Sequence, residues 1–159
     1  LGSTGAYRGW KRDCYEGGLR VPGILEWPSR IKMPRRTDFP VVTSDYFPTA
    51  LAAVGLPLPD DRTYDGINLL PIIEQEKNYK RLPIGFHCNG MEAWTSTPYK
   101  IVRSIKNKKK QSLDWELYDL VHDPYEEHNL ATRKPDLVSR MAKEFDDWAQ
   151  AIQLEKVKD

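Results

Sequence analysis

The chain has 159 residues, of which 40% are hydrophobic and 30% charged, and its formal net charge is +1 at pH 7. This length and composition describe a globular chain with a buried core rather than a disordered one. The nearly neutral charge argues against a surface built to bind nucleic acid, and the longest apolar runs fall short of the roughly 20 residues that a membrane span needs. We therefore predict neither nucleic acid nor membrane as a partner.

A glycine-rich basic segment lies near the N-terminus. Residues 7–23, YRGWKRDCYEGGLRVPG, crowd cations, aromatics and four glycines before an apolar run. Glycine lets the backbone approach a ligand closely, and Arg8, Lys11 and Arg12 supply fixed positive charge. The pattern indicates a loop that binds an oxyanion. The alternative from composition alone is a polar surface loop with solvated cations.

The apolar run from Leu19 to Trp27 follows this loop directly. Because the run is short and bounded by glycine and proline, it predicts a buried strand. Residues 28–37 contain two prolines and four cations and predict an exposed connection. A helix is predicted to begin between Asp45 and Phe47 and to end at Gly55, since a proline at position 48 is tolerated only in the first helical turn.

Three ordered runs resemble the signature of the sulfatase family. They are GSTG at residues 2–5, YRGWK at 7–11 and YEGGLRVP at 15–22, and the family pattern is G-x-x-G, R-G-x-K and W/Y-E-G-G-x-R-V-P. In that family the lysine of this loop contacts the sulfate of the substrate. The resemblance therefore implies a catalytic and substrate-binding role for Lys11. The segment 45–71 resembles the same family.

The second half of the chain opens with a predicted strand at residues 82–87. Residues 87–94 are predicted to form a loop at the end of this strand. The sulfatase resemblance implies that the loop faces the substrate pocket and that His87 binds substrate there. The alternative is a histidine satisfied by a backbone carbonyl. The family often continues with Arg-Ala-Val-Arg where this chain has MEAWT, and Trp94 is predicted to pack the sheet rather than to stack on a sugar ring.

Alternating apolar and polar residues predict a hairpin and a helix in the last third. The hairpin strands are Tyr99–Ile105 and Trp115–Leu120, joined by a turn at the basic cluster 107–111. Lysines without interleaved aromatics make only a weak patch for nucleic acid. The helix is predicted at Lys134–Ala149. Its apolar stripe, expected to pack on the sheet, consists of Leu137, Met141, Phe145 and Trp148.

A second run with strong family resemblance is WELYDLVHDPYEEHNLA at residues 115–131. Its acidic residues and histidines raise the question of a metal site, as does the pair Asp60 and Asp61. The Asp-Pro step at residues 123–124 is turn chemistry, and the histidines lack the regular spacing of a ligand pair. Adjacent aspartates on a loop point in different directions. We predict no metal ligand in this chain.

Together these patterns predict an α/β chain. Residues 1–81 are assigned to the C-terminal part of a sulfatase catalytic domain, where they would close its α/β layer. Residues 82–159 are assigned to a small C-terminal α+β subdomain with an antiparallel sheet and one helix.

Much of the family's catalytic machinery is missing from the sequence. The resemblance implies hydrolysis of sulfate esters by a formylglycine, made from Cys or Ser in a Cys/Ser-x-Pro/Ala-x-Arg run, with a calcium ion. No such run occurs here, and the sequences around Cys14 and Cys88 both fail the pattern. Calcium and formylglycine are therefore expected outside this chain, and the isolated chain is predicted to be inactive. One disulfide is arithmetically possible, but free thiols are the prediction.

The implied partners are a sulfated small molecule or glycan and the N-terminal part of the same protein. Apolar surface left uncovered in the fragment would favour self-association. Family analogy points to a periplasmic, secreted or lysosomal location. Two other functions remain open: hydrolysis of phosphate or phosphonate monoesters within the same superfamily, and a non-catalytic module that binds a glycan or another partner.

Overall fold

The computed structural model describes residues 2–74, 80–105 and 114–152. The chain divides into two compact units, one made of Leu1–Pro22 with Leu82–Asp159 and the other of Gly23–Arg81. This division also has a boundary between residues 81 and 82, but residues 1–22 group with residues 82–159 rather than with 23–81. Assignment of residues 1–81 to a catalytic domain stays a prediction. The basic cluster predicted at 107–111 lies outside the described residues.

In the described ranges, short helices come first, four consecutive strands follow, and a long helix comes last. In chain order they are α1 (Glu16–Leu19), a 3-10 helix (Thr43–Asp45), α2 (Tyr46–Ala53), α3 (Leu70–Ile73), β1 (Ile84–Cys88), β2 (Met91–Ser96), β3 (Tyr99–Ser104), β4 (Glu116–Asp119) and α4 (Pro135–Ala151). None of the helices in the described ranges has the length and apolar character needed to cross a bilayer.

The sheet is antiparallel, with strand order β1-β2-β3-β4. Its presence together with α4 confirms the predicted small α+β subdomain with an antiparallel sheet and one helix. The predicted hairpin is also present, since β3 pairs with β4 with Ile101 opposite Leu117. Side chains alternate between the two faces of each strand, so each face can be followed residue by residue.

The loop predicted at residues 87–94 is wrong. β1 runs to Cys88 and β2 starts at Met91, which leaves only Asn89 and Gly90 as the connection. Both residues have positive φ, +50° and +67°, as a tight two-residue hairpin turn requires. Asn-Gly is the strongest short hairpin signal in a sequence, and it was present between two apolar runs.

One face of the sheet, here called the helix face, packs against α4. The fully or nearly buried core on this face consists of Trp94, Ile101, Trp115, Leu117, Met141 and Phe145. The predicted apolar stripe of α4 is thus confirmed, and Trp94 packs the sheet as expected, its indole Nε1 donating to Glu144 Oε2 at 3.0 Å. Gly85 allows α4 to come close, since a Cβ there would lie 2.6 Å from the Trp148 ring.

The opposite face, here called the loop face, is covered by residues 7–20, which we call the signature loop. The buried side chains on this face are Cys14, Met91, Ala93, Val102 and Tyr118. Tyr15 and Leu19 of the signature loop pack against them, beside Phe86 and Cys88 of β1. The small sheet therefore lies between α4 and the signature loop.

The predicted strand at Leu19–Trp27 is wrong. Its first residue closes the one-turn helix α1, and within the described residues the segment 20–27 belongs to no strand or helix. Val21, Ile24 and Leu25 are 79%, 98% and 57% exposed. A strand needs a neighbouring strand for its backbone N–H and C=O groups, and the apolar pattern alone cannot supply one.

In the second unit, the buried Asp45 organises the start of α2. Its carboxylate accepts hydrogen bonds from the backbone N–H of Val42 at 2.8 Å and of Ile67 at 2.9 Å, and it pairs with Arg81 at 2.9 Å. Pro48 lies in the first turn of α2, as predicted. The helix bounds agree with the predicted start to within a residue.

Candidate functional site

Lys11 lies at the tip of a tight turn in the signature loop. The turn is closed by two hydrogen bonds, from Asp13 N–H to the Trp10 carbonyl at 2.9 Å and from Trp10 N–H to Asp13 Oδ2 at 3.0 Å. Arg12 adopts a left-handed φ of +79°, and both Trp10 and Lys11 are exposed. Among the described residues, no carboxylate pairs with the Lys11 ammonium.

Two glycines of α1, Gly17 and Gly18, allow this turn to pack closely against the helix. The N–H of Gly17 donates to the carbonyl of Arg8 at 2.7 Å. A Cβ on Gly17 would lie 2.4 Å from the Gly9 carbonyl oxygen, and one on Gly18 would lie 2.2 Å from the carbonyl oxygen of Asp13. No side chain fits in either place, so the glycine pair is required for the close packing of the turn on α1.

Arg8 anchors the loop on the side that precedes Lys11. Its Nη1 donates to Tyr118 OH at 2.6 Å and to the carbonyl of Glu126 at 3.2 Å, and it forms an ion pair with Glu116 Oε2 at 3.3 Å. The guanidinium also lies 3.9 Å from the centroid of the Tyr15 ring. Arg8, predicted as one of the cations available to an oxyanion, is instead engaged in holding the loop.

The two tyrosines beside Arg8 share one carboxylate. Tyr15 OH and Tyr118 OH donate to Glu116 Oε2 at 2.8 and 2.7 Å. The pKa of both phenols is raised well above the ordinary tyrosine range. Burial is the largest cause, and the hydrogen bonds to Glu116 are the next. Both phenols therefore remain neutral donors at physiological pH.

Lys100 anchors the loop on the side that follows Lys11. It projects from β3 on the loop face, is fully buried, and lies 2.9 Å from Glu16 Oε1 and 2.8 Å from Glu126 Oε1. Glu126 Oε2 also accepts the backbone N–H of Glu16 at 2.7 Å. Burial raises the pKa of Glu126, and the nearby Lys100 ammonium opposes that shift.

Both cysteines lie on the loop face as free thiols. Cys14 is fully buried in the signature loop, and Cys88, at the end of β1, packs against the same apolar cluster. Burial raises the pKa of the Cys14 thiol to about 11, with a further contribution from Cys88. A neutral, buried thiol is chemically inert.

His87 lies on the helix face, opposite to the signature loop. Its neighbours Phe86 and Cys88 point to the loop face, and His87 pairs across the sheet with Glu92, which in turn pairs with Arg103. His87 Nδ1 is 3.5 Å from Glu92 Oε1, and Arg103 Nε donates to Glu92 Oε2 at 2.5 Å. The structure therefore does not bring His87 and Lys11 together on one face.

Three residues of types that can bind a metal lie close together in the turn after β4. Ligand atoms of Asp123, Glu127 and His128 lie within 4.8 Å of one another. However, the Asp123 carboxylate already accepts the backbone N–H groups of Glu127 and His128 at 3.1 and 2.8 Å. The Asp123 carboxylate thus stabilises the turn that the Asp-Pro step predicts, and the absence of a metal ligand here stays a prediction.

Sequence reasoning missed Lys100 and Glu126. Lys100 reads as an ordinary polar position in an alternating strand, and its burial depends on two carboxylates far away in the sequence. The sequence carries no signal for this burial, because only the structure shows that this face of β3 and β4 meets the signature loop, where a lysine needs a buried acid. Glu126 has a left-handed φ of +59°, which no sequence pattern indicates.

Comparison with known proteins adds a consistent set of relatives. Residues 5–151 match the family model described as "N-sulphoglucosamine sulphohydrolase, C-terminal". Human steryl-sulfatase is 44% identical over 89 residues, which cover 55% of this chain and 15% of that protein. The N-acetylgalactosamine-6-O-sulfatase of Bacteroides thetaiotaomicron is 28% identical over 148 residues, covering 87% of this chain and 29% of that protein.

A solved structure shows the same fold. It comes from work on the metabolism of multiple glycosaminoglycans by Bacteroides thetaiotaomicron, and it matches with a TM-score of 0.80 at 25% identity. The match covers 92% of this chain and 32% of that one. The chain thus spans less than a third of each of these three relatives.

Proposed function

The chain belongs to the sulfatase family as a C-terminal portion, and we propose that the full-length protein hydrolyses sulfate esters, with Lys11 contacting the sulfuryl group of the substrate. The observation that supports this proposal is the exposed, fixed position of Lys11. Lys11 is an exposed cation, next to the equally exposed Arg12, in a turn held on both sides by polar contacts, and no carboxylate in the described part of the chain pairs with it.

The chemistry follows from the charge of the reacting group. A sulfuryl group carries negative charge spread over its oxygens, and a cation held in place before the reaction stabilises the charge distribution of the transition state. Because the Lys11 turn is already fixed against the sheet, little reorganisation is needed when substrate binds. Arg8 does not share this role, since its guanidinium is engaged by Tyr118, Glu116 and the Glu126 carbonyl.

The described residues of this chain offer no fitting site for the family's formylglycine or calcium. Cys14 is fully buried in an apolar cluster and Cys88 packs against it, so neither thiol is placed as an exposed nucleophile. The Asp123 turn is the one described group with three ligand types, and its aspartate is already hydrogen-bonded. We propose that both groups belong to the N-terminal part of the protein and that the isolated chain has no turnover.

The proposed substrate is a sulfated small molecule or a glycan. A substrate role for His87 stays a prediction. A ligand that touched both Lys11 and His87 would have to extend from one face of the sheet to the other, because the two residues lie on opposite faces.

A substrate panel tests the reaction class. The full-length protein is incubated side by side with aryl sulfate, aryl phosphate and phenylphosphonate monoester. Faster turnover of the sulfate ester supports the proposal. Preference for the phosphate or phosphonate ester would contradict it and favour the related monoesterases. Binding of a glycan without turnover of any ester would favour a non-catalytic module.

A further inference from the structure

The signature loop is fixed to the sheet at two separate points, one on each side of Lys11. Before Lys11, Arg8 reaches the Tyr118 phenol and the Glu126 carbonyl. After it, Glu16 is held through its side chain by Lys100 and through its backbone N–H by Glu126. The segment around Glu126 therefore contributes to both anchors.

Lys100 is the centre of the second anchor. Its ammonium is fully buried, so its solvation is replaced by the two carboxylates within 2.9 Å. A buried ammonium is costly unless it is paired, and each carboxylate here in turn needs the cation. Glu16 and Glu126 are thereby fixed relative to β3, and they fix the start of α1.

The position of α1 determines the position of the Lys11 turn. Gly17 N–H donates to the Arg8 carbonyl, and the carbonyl oxygens of Gly9 and Asp13 press directly against Gly17 and Gly18. Because no side chain separates these backbones, a displacement of α1 displaces the turn as well. Lys100 has no path to a substrate itself, since none of its surface is exposed.

We infer that Lys100 is a positioning residue for Lys11: it acts on the sulfate ester only by holding Glu16, and through Glu16 the turn that carries the sulfate-contacting ammonium. This inference rests on the proposed function of Lys11. It extends that function to a residue that makes no contact with substrate and that the sequence pattern does not single out.

The test is a double-variant cycle in the full-length protein. Its arms are Lys11→Ala, Lys100→Met and the combination of the two, measured as kcat/KM on an aryl sulfate. Lys143→Met is the matched control, since Lys143 also pairs with a carboxylate, Asp147, but on the exposed side of α4. The control is expected to keep full activity.

We expect Lys100→Met alone to lower kcat/KM by about 10- to 100-fold, the scale of a small misplacement of a reacting group. In the Lys11→Ala background the same change should have little further effect, because there is no ammonium left to position. A structural role unconnected with Lys11 would instead lower activity by the same factor in both backgrounds. That additive result would overturn the inference.

A second variant covers the case in which Lys100→Met does not fold. Lys100→Met with Glu126→Gln removes one buried cation and one buried carboxylate together, so the group keeps its net charge. The same non-additivity with Lys11→Ala is expected, and additivity would again overturn the inference. A failure of the proposed function would give a different result: Lys11→Ala alone would then leave kcat/KM unchanged.

Discussion

Arg8 and Tyr118, 110 residues apart in the chain, are joined by a hydrogen bond of 2.6 Å from the guanidinium Nη1 to the phenol oxygen. The same phenol donates to Glu116 at 2.7 Å. This pair links the two runs with the strongest family resemblance, the signature loop and the segment that begins at Trp115. The loop that carries Lys11 thus depends on the last third of the chain for its position.

Replacing Tyr118 with Phe should destabilise the protein. The change removes a partly buried acceptor for the Arg8 guanidinium and a donor to Glu116, which together we expect to cost about 1–3 kcal/mol. Thermal unfolding of the full-length protein measures the loss. Tyr125→Phe is the control, since Tyr125 is partly exposed and its hydroxyl has no hydrogen-bond partner in the described chain. Equal unfolding temperatures for the two variants would contradict the account.

The protein should lose stability in alkaline solution. Tyr15 and Tyr118 have pKa values raised above the ordinary 10.0 by burial and by hydrogen bonds to Glu116. In the unfolded chain these phenols lose their protons near pH 10, whereas in the folded chain they keep them. The unfolded state therefore binds fewer protons, and the free energy of unfolding decreases as the pH rises above 10. Denaturant titrations at pH 9, 10 and 11 test this.

The same titrations on a variant with both tyrosines changed to Phe provide the comparison. That variant should be less stable at pH 9, but its stability should fall less steeply between pH 10 and 11. An unchanged slope would show that other groups cause the alkaline loss.

Gly17→Ala should destabilise the loop that carries Lys11. A Cβ at this position would lie 2.4 Å from the Gly9 carbonyl oxygen and 2.5 Å from that of Arg8, so the backbone must move. We expect a loss of about 1–3 kcal/mol, typical of overpacking, together with reduced activity. Gly23→Ala is the matched control, because nothing lies within 4 Å of its added Cβ. A Gly17→Ala protein as stable and active as the control would contradict the packing described here.

Cys14 should resist alkylation in the folded protein. With a pKa of about 11, only about one thousandth of this thiol is ionised at pH 8, and the side chain is fully buried. Iodoacetamide labelling followed by peptide mass spectrometry should find Cys14 unmodified until denaturant is added. Rapid labelling of Cys14 under native conditions would show that the signature loop is not packed on the sheet.

Elements with a strong local pattern could be predicted from the sequence. The 3.6-residue apolar stripe gave the long C-terminal helix, and two alternating runs gave the β3–β4 hairpin. α2 was found from the proline in its first turn. In each case the residues that determine the element lie within it, so a single sequence is sufficient.

The errors concern features that depend on distant residues. The Leu19–Trp27 segment has the apolar composition of a strand, but composition does not supply a partner, and its side chains are exposed. The role of Arg8 depends on Glu116, and that of Lys100 partly on Glu16, each more than 80 residues away in the chain. The substrate role of His87 stays a prediction; the strand register, which depends on pairing with other parts of the chain, places it on the face opposite to the signature loop.

The most direct test of the central claim is the activity of Lys11→Ala in the full-length protein on a sulfate ester. Lys143→Ala serves as the control, since Lys143 is an exposed lysine on α4. Loss of a preorganised cation predicts a fall in kcat of about 10²–10³-fold for Lys11→Ala, with an unchanged unfolding temperature because the side chain is exposed. Full sulfate ester turnover by a folded Lys11→Ala protein would contradict the claim that this residue stabilises the sulfuryl group.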